Sequence, residues 1–205
     1  MVTNLRKIAV IYSGNASHYR TFNEPKYNKY IEELIYFPDF LDSSLDQVDV
    51  LFVPSQLNEG LLMAAKEKIH AFAERGGIVV AFGPQPFDWI PNQKWEERET
   101  NFWWWLEKDA KSGLVLAEPQ HDLFTNITLE DATWHQHGVY WPVDGAQKLI
   151  TTEDGGAVLY IDQVSTNGTW IVTTLDPDYH YGSYFMPATE RFLDGFLPWL
   201  AEGKI

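Results

Sequence analysis

The 205-residue chain contains no cysteine. Disulfides, thiolate nucleophiles and zinc–cysteine clusters are therefore excluded. No apolar run approaches the roughly 18 residues that cross a bilayer. Basic residues are scarce: 15 Lys and Arg stand against 29 Asp and Glu, a formal net charge of −14. That surplus repels polyphosphates and anionic lipid over a Debye length of about 8 Å, so neither nucleic acid nor membrane is expected as a partner. The opening MVTNLRKIAVIYSG has no small-residue cleavage signal and its apolar run stops at Gly14, so it reads as a first strand and a cytoplasmic location is expected by default.

Aromatic residues, by contrast, are plentiful. They make up 15% of the chain within a hydrophobic fraction of 45%, the composition of a chain that folds throughout. Without repeat, linker or low-complexity tract, residues 1–205 are expected to form a single domain. Residues 7–12 (KIAVIY) are β-rich, close at Ser13-Gly14, and predict a buried parallel strand at the centre of a sheet. The spacing of Tyr27, Tyr30, Ile31 and Leu34 predicts a helix over 27–37, ended by Pro38. Residues 48–53 (VDVLFV) predict a second strand. Asn58 then caps a helix with the apolar stripe Leu61, Leu62, Ala65, Ile69, Phe72 and Ala73, Gly76-Gly77 stops it, and 78–82 (IVVAF) form a third strand. Strand, helix and strand make a right-handed βαβ unit and a parallel sheet.

Residues 113–117 predict a further strand, and Trp103, Trp104 and Trp105 cannot all face inward on a helix. From Gln147 the pattern changes to strands joined by tight turns: QKLITT, AVLYID and TWIVTTL, with Asp154-Gly155-Gly156 and Asn167-Gly168 between them. Asn-Gly tolerates positive φ and signals a hairpin, so an antiparallel extension is expected. Pro187 starts a last helix with the stripe Phe192, Leu193, Phe196 and Leu197.

The stretch VDVLFVPSQLNEGLLMAAKEKIHAFAERGGIVVAFG resembles the class I glutamine amidotransferase-like superfamily, in particular its ThuA-like (trehalose-utilisation) and β-galactosidase trimerisation branches. The loop YSGNASHYR and the ending IVTTLDPDYHYGSYFMPATERFLDGFLPWL are similar to ThuA-like proteins. The resemblance implies an α/β, flavodoxin-like three-layer sandwich with a mostly parallel central sheet. It also implies a loss. Where catalytic members carry a cysteine elbow this chain has Gly83-Pro84-Gln85-Pro86, and where they carry His-Pro-Glu it has Asp176-Pro177-Asp178. Glutamine hydrolysis by a cysteine–histidine pair is therefore not expected.

Four stretches hold the candidate ligand-binding residues, one of them Trp134–Gly138 with His135 and His137. Ser13, Asn15 and His18 follow the first strand, and Gln85 follows the third. Asp176, Asp178, Tyr179 and His180 follow TWIVTTL, at the carboxyl edge where open α/β sheets bind ligands. A turn held by its own side chains is the alternative for that last loop, since Asp-Pro is a turn signal. In Trp134-His135-Gln136-His137-Gly138, an extended backbone points His135 and His137 the same way, and with Asp176 and His180 they could ligate a divalent metal as cofactor. A hydrogen-bonded structural network is the competing reading.

Two functions follow as expectations. One is a non-catalytic domain that binds a small polar ligand, such as a sugar stacked on aromatic faces, or that forms a homo-oligomer through its aromatic surface. The other is a ThuA-like hydrolase or isomerase of sugars using the His/Asp cluster.

Overall fold

The computed structural model describes residues 5–100, 107–184 and 186–205. Among these, ten strands share one mixed sheet: β1 (Ile8–Tyr12), β2 (Ile31–Tyr36), β3 (Val50–Val53), β4 (Ile78–Ala81), β5 (Lys94–Glu97), β6 (Leu114–Leu116), β7 (Gly138–Trp141), β8 (Gln147–Thr152), β9 (Ala157–Asp162) and β10 (Thr169–Thr173). The order is β2-β1-β3-β4-β10-β9-β7-β5, with β8 pairing β9 and β6. The first five strands in that order are mutually parallel. From β9 onward every pairing is antiparallel. Strand β10 thus joins the two regimes, parallel to β4 on one side and antiparallel to β9 on the other.

Five α-helices complete the described chain: α1 (Ala16–Asn23), α2 (Pro25–Asn28), α3 (Glu59–Glu74), α4 (Pro177–Gly182) and α5 (Pro187–Glu202). Successive side chains of a strand face opposite ways, so a buried strand supplies two cores. Ile8, Val10, Phe52, Val80 and Ile171 pack in one cluster with Phe192, Leu193, Phe196 and Leu197 of α5. Ala9, Ile11, Leu51, Val79 and Val172 pack in the other with Leu62, Ala65, Ile69, Phe72 and Ala73 of α3. Each fully buried Val, Leu, Ile or Phe contributes about 1.5–3 kcal/mol, which is why these alternating runs form strands and these stripes form helices. Helix α3 starts where expected, with Asn58 Oδ1 accepting from Leu61 N at 3.0 Å. It stops at Gly76, whose φ of +91° suits glycine.

Several expectations are corrected. The helix expected over 27–37 is instead the short α2 followed by strand β2, parallel to β1 with Ile31 opposite Ile8 and Ile35 opposite Ile11. Pairing with a buried neighbour outweighs a helical spacing that would have left Ile35 without a sheet to cover it. Strand β1 lies second from the sheet edge rather than at its centre. Strands β9 and β10 are antiparallel neighbours, but residues 163–168 form a longer loop in place of an Asn-Gly turn. Asp162 Oδ1 organises it by accepting from Val164 N at 2.7 Å and Ser165 N at 3.0 Å. The D-P-D-Y-H-Y-G stretch is not a loop but helix α4. The tryptophans at 103–105 lie outside the described residues.

Candidate functional site

Strands β1, β3, β4 and β10 run parallel, so the segments that follow them emerge at one edge of the sheet. The segment after β1 begins α1, where Asn15 Oδ1 accepts from Ser17 N at 2.7 Å and caps the helix. The segment after β10 begins α4, with Pro177 preset for the first turn. Helices α1 and α4 touch backbone to backbone. A Cβ on Gly182 would lie 1.9 Å from Ser17 O, so only glycine allows the approach. Thr21 Oγ1 donates to Asp178 O at 2.6 Å, and Arg20 Nη1 to Gly182 O at 3.0 Å.

This contact seats the Asp178 carboxylate under α1. Its Oδ2 accepts from Ser55 N at 2.9 Å and Ser55 Oγ at 3.1 Å, and lies 3.1 Å from His18 Nε2. His18, Ser55 and Asp178 are all fully buried. The serine bonds to the aspartate and not to the histidine, so this is no nucleophile–base pair. Its effect is to tie the ends of β1, β3 and β10 together.

A second cluster is built on Asp176 and His180, two residues before and two after Asp178. Asp176 Oδ1 accepts from Trp134 Nε1 at 3.2 Å, while Oδ2 lies 3.2 Å from His180 Nε2. His180 Nε2 in turn is 3.3 Å from His135 Nε2, with the two rings nearly perpendicular at 89°. His137 stands beside His135 with ring centres 5.3 Å apart, and its Nδ1 is 2.9 Å from Thr100 Oγ1. One ligating atom each from His135, His137 and Asp176 lie within 4.8 Å of one another. Burial pushes the His135 imidazole down to about 4 against the opposing pull of the Asp176 charge, so it is neutral at pH 7. Burial raises the Asp176 carboxyl, but its bonds to His180 and Trp134 outweigh that and hold it below the usual carboxylate range. A carboxylate held that low is a weak base near neutral pH.

Gly83, at the elbow after β4, has φ +82°, and a Cβ there would lie 2.5 Å from Ser55 Cβ. Its N–H donates to Leu175 O at 2.7 Å, which places the elbow beside Asp176. Gln85 is 2% exposed. Its Nε2 donates to Pro54 O at 2.8 Å and Phe82 O at 2.9 Å, so the amide holds the elbow's own backbone. Burial raises the Tyr140 phenol, whose oxygen accepts from Gln85 N at 3.2 Å.

Two hollows flank the second cluster. An open cleft of about 920 Å³ is lined by Leu114, Leu129, Trp134, Met186 and Arg191 among others, and meets the cluster through Trp134. A smaller pocket of about 190 Å³ is formed by His180, Tyr181, Tyr184, Met186, Pro187 and Glu190. Tyr184 is 77% exposed there and Arg20 stacks over its ring at 5.4 Å.

The residues named from sequence therefore divide. His135, His137, Asp176 and His180 come together, and Tyr179 packs edge-on against His180. His18 and Asp178 form the separate buried nest, Asn15 is a helix cap, Gln85 is turned into the elbow, and Ser13 is half-buried at the same edge. Sequence reasoning missed Ser55, Thr100, Tyr140, Tyr181, Tyr184 and Glu190. Only Ser55 had a local signal, a small polar residue directly after a buried strand at the ligand-binding edge.

No protein-family model and no curated protein matches the chain. Solved structures do. An exo-β-1,4-mannosidase, Op5Man5 from Opitutaceae bacterium strain TAV5, superposes with a TM-score of 0.54 at 11% identity over 95% of this chain, which spans 35% of the mannosidase. A protein from Bacteroides uniformis ATCC 8492 described as ThuA-like superposes with a TM-score of 0.52 at 11% identity, over 93% of this chain and 89% of its own. At such identity the likeness is one of fold: this chain is similar in architecture to a ThuA-like protein and to about a third of a mannosidase.

Proposed function

We propose that this chain binds a small polar ligand of the carbohydrate class at the carboxyl edge of its parallel strands, on a flavodoxin-like, three-layer, ThuA-like scaffold that has no cysteine chemistry. The parallel order β2-β1-β3-β4-β10, with helices α3 and α5 on opposite faces, supports the scaffold reading. The observation that carries the ligand class is the pocket where Tyr181 and Tyr184 stand beside His180 and Glu190. Tyrosine faces stack on the C–H surface of a sugar ring, while carboxylate and imidazole bond its hydroxyls. The mannosidase among the fold neighbours makes sugars the first ligands to test.

Thermal-shift and calorimetric titration with a panel of mono- and disaccharides tests it. A sugar at 100 times its Kd stabilises by about 2.7 kcal/mol, and Tyr184→Ala or Glu190→Gln abolishes the shift. A blank panel on well-folded protein refutes the reading. The enzyme alternative draws support from the contact of His180 with His135 and Asp176. Turnover of a sugar that His180→Ala removes would establish it in place of simple binding. Self-association through exposed Tyr19 and Tyr36, which both pack on Tyr12, would instead appear in sedimentation as a dimer that Tyr36→Ser dissociates.

A further inference from the structure

We propose that His135, His137 and Asp176, with His180 at their edge, form a binding site for one divalent transition-metal ion. The inference concerns the cluster beside the sugar pocket and does not depend on that pocket's ligand. Geometry carries it. A tetrahedral ion with bonds of about 2.1 Å holds its ligand atoms about 3.4 Å apart. His180 Nε2 borders the group, 3.3 Å from His135 Nε2 and 3.2 Å from Asp176 Oδ2. One ligating atom each from His135, His137 and Asp176 lie within 4.8 Å of one another, so two imidazoles and a carboxylate can reach one ion.

The outer atoms of two ligands are also anchored, as they are around metal centres. Trp134 Nε1–H engages Asp176 Oδ1 and leaves Oδ2 to face the histidines. Thr100 Oγ1 contacts His137 Nδ1 at 2.9 Å. Two imidazoles and one carboxylate select zinc, cobalt, nickel or ferrous iron over magnesium and calcium, which favour all-oxygen sites.

The test uses tag-free full-length protein stripped with a chelator and titrated with Co2+ and Zn2+. One equivalent is expected to bind, with visible cobalt absorption bands of four- or five-coordinate nitrogen–oxygen ligation and a higher Tm. His137→Ala, at the half-buried side of the cluster, weakens binding by at least about tenfold. Asp176→Asn, which keeps an acceptor for Trp134, does the same while circular dichroism shows the fold retained. His121→Ala, next to Asp122 and Trp199, leaves the Kd unchanged. Absence of a saturable equivalent, or equal affinity in His137→Ala and wild type, overturns the site. Sugar titrations repeated in chelator separate the two ideas, since sugar binding that persists without metal leaves the pocket reading intact.

Discussion

Replacing Asp178 with alanine probes how the candidate site is held in place. The carboxylate is fully buried and serves three groups from two distant segments: Ser55 N, Ser55 Oγ and His18 Nε2. Removing it strands a buried N–H and a buried imidazole, at about 1–3 kcal/mol for each unsatisfied group. For a domain of this length each kcal/mol lowers Tm by about 2–4 °C, so a fall on the order of 10 °C is expected. Ser55→Ala loses only the hydroxyl bond and costs about 1 kcal/mol, near the net value of a single hydrogen bond. The assay is differential scanning calorimetry of wild type, Ser55→Ala, His18→Ala, Asp178→Ala and the His18/Asp178 double variant. In the double variant the two losses should fall short of additive, because each single change already removes the shared contact. An Asp178→Ala Tm within 2 °C of wild type, or strict additivity, would refute the idea that this carboxylate ties the sheet edge together.

Gly83→Ala should destabilise by more than the ~1–3 kcal/mol of backbone strain alone, because φ is +82° and the new Cβ would sit 2.5 Å from Ser55 Cβ; chemical denaturation measures it. Gln85→Ala removes two bonds to buried carbonyls and should cost about 1–3 kcal/mol, and Gln85→Cys should produce no glutaminase in an ammonia-release assay. Burial holds the His135 imidazole near 4 in the folded protein against 6.5 unfolded, so its contribution to stability is full above pH 6.5 and is lost as pH falls from there toward 4. Over that window metal-free protein should lose about 3 kcal/mol, and urea denaturation of His135→Gln should show a shallower pH slope; equal slopes would contradict the burial argument. Trp134→Phe deletes the indole donor to Asp176 and should cost about 1.5–3 kcal/mol, the range for a bond to a charged group.

The unit β3-α3-β4 was readable because every signal in it agreed: an asparagine cap, an apolar stripe and a left-handed glycine stop, with short apolar runs on either side. Strand β2 was not readable. Tyr27, Tyr30, Ile31 and Leu34 have helical spacing, and only the proximity of β1, invisible in a local window, makes Ile31 and Ile35 strand residues. Helix α4 carried a usable signal that was set aside, since Pro177 suits a first helical turn and Asp176 and His180 are spaced i,i+4. Reading Asp-Pro as a turn hid that spacing. The pairing of His135 with Asp176 could be listed from residue types but not placed, because it depends on Trp134 reaching across to α4. The position of Ser55 after a buried strand is a local signal, but its partner lies 123 residues further along the chain and is not.

Strand β10 has a consequence for the order of assembly. Its antiparallel neighbour β9 is joined to it by residues 163–168, so that pairing closes a short loop and forms early. Pairing with β4 must wait for a far larger loop to close, and the Asp178–Ser55 contact waits with it. Substitutions around Asp178 therefore accelerate unfolding and leave the refolding limb of a chevron nearly unchanged. Time-resolved hydrogen exchange would see the Ser55 amide acquire protection only after the β9–β10 ladder is in place.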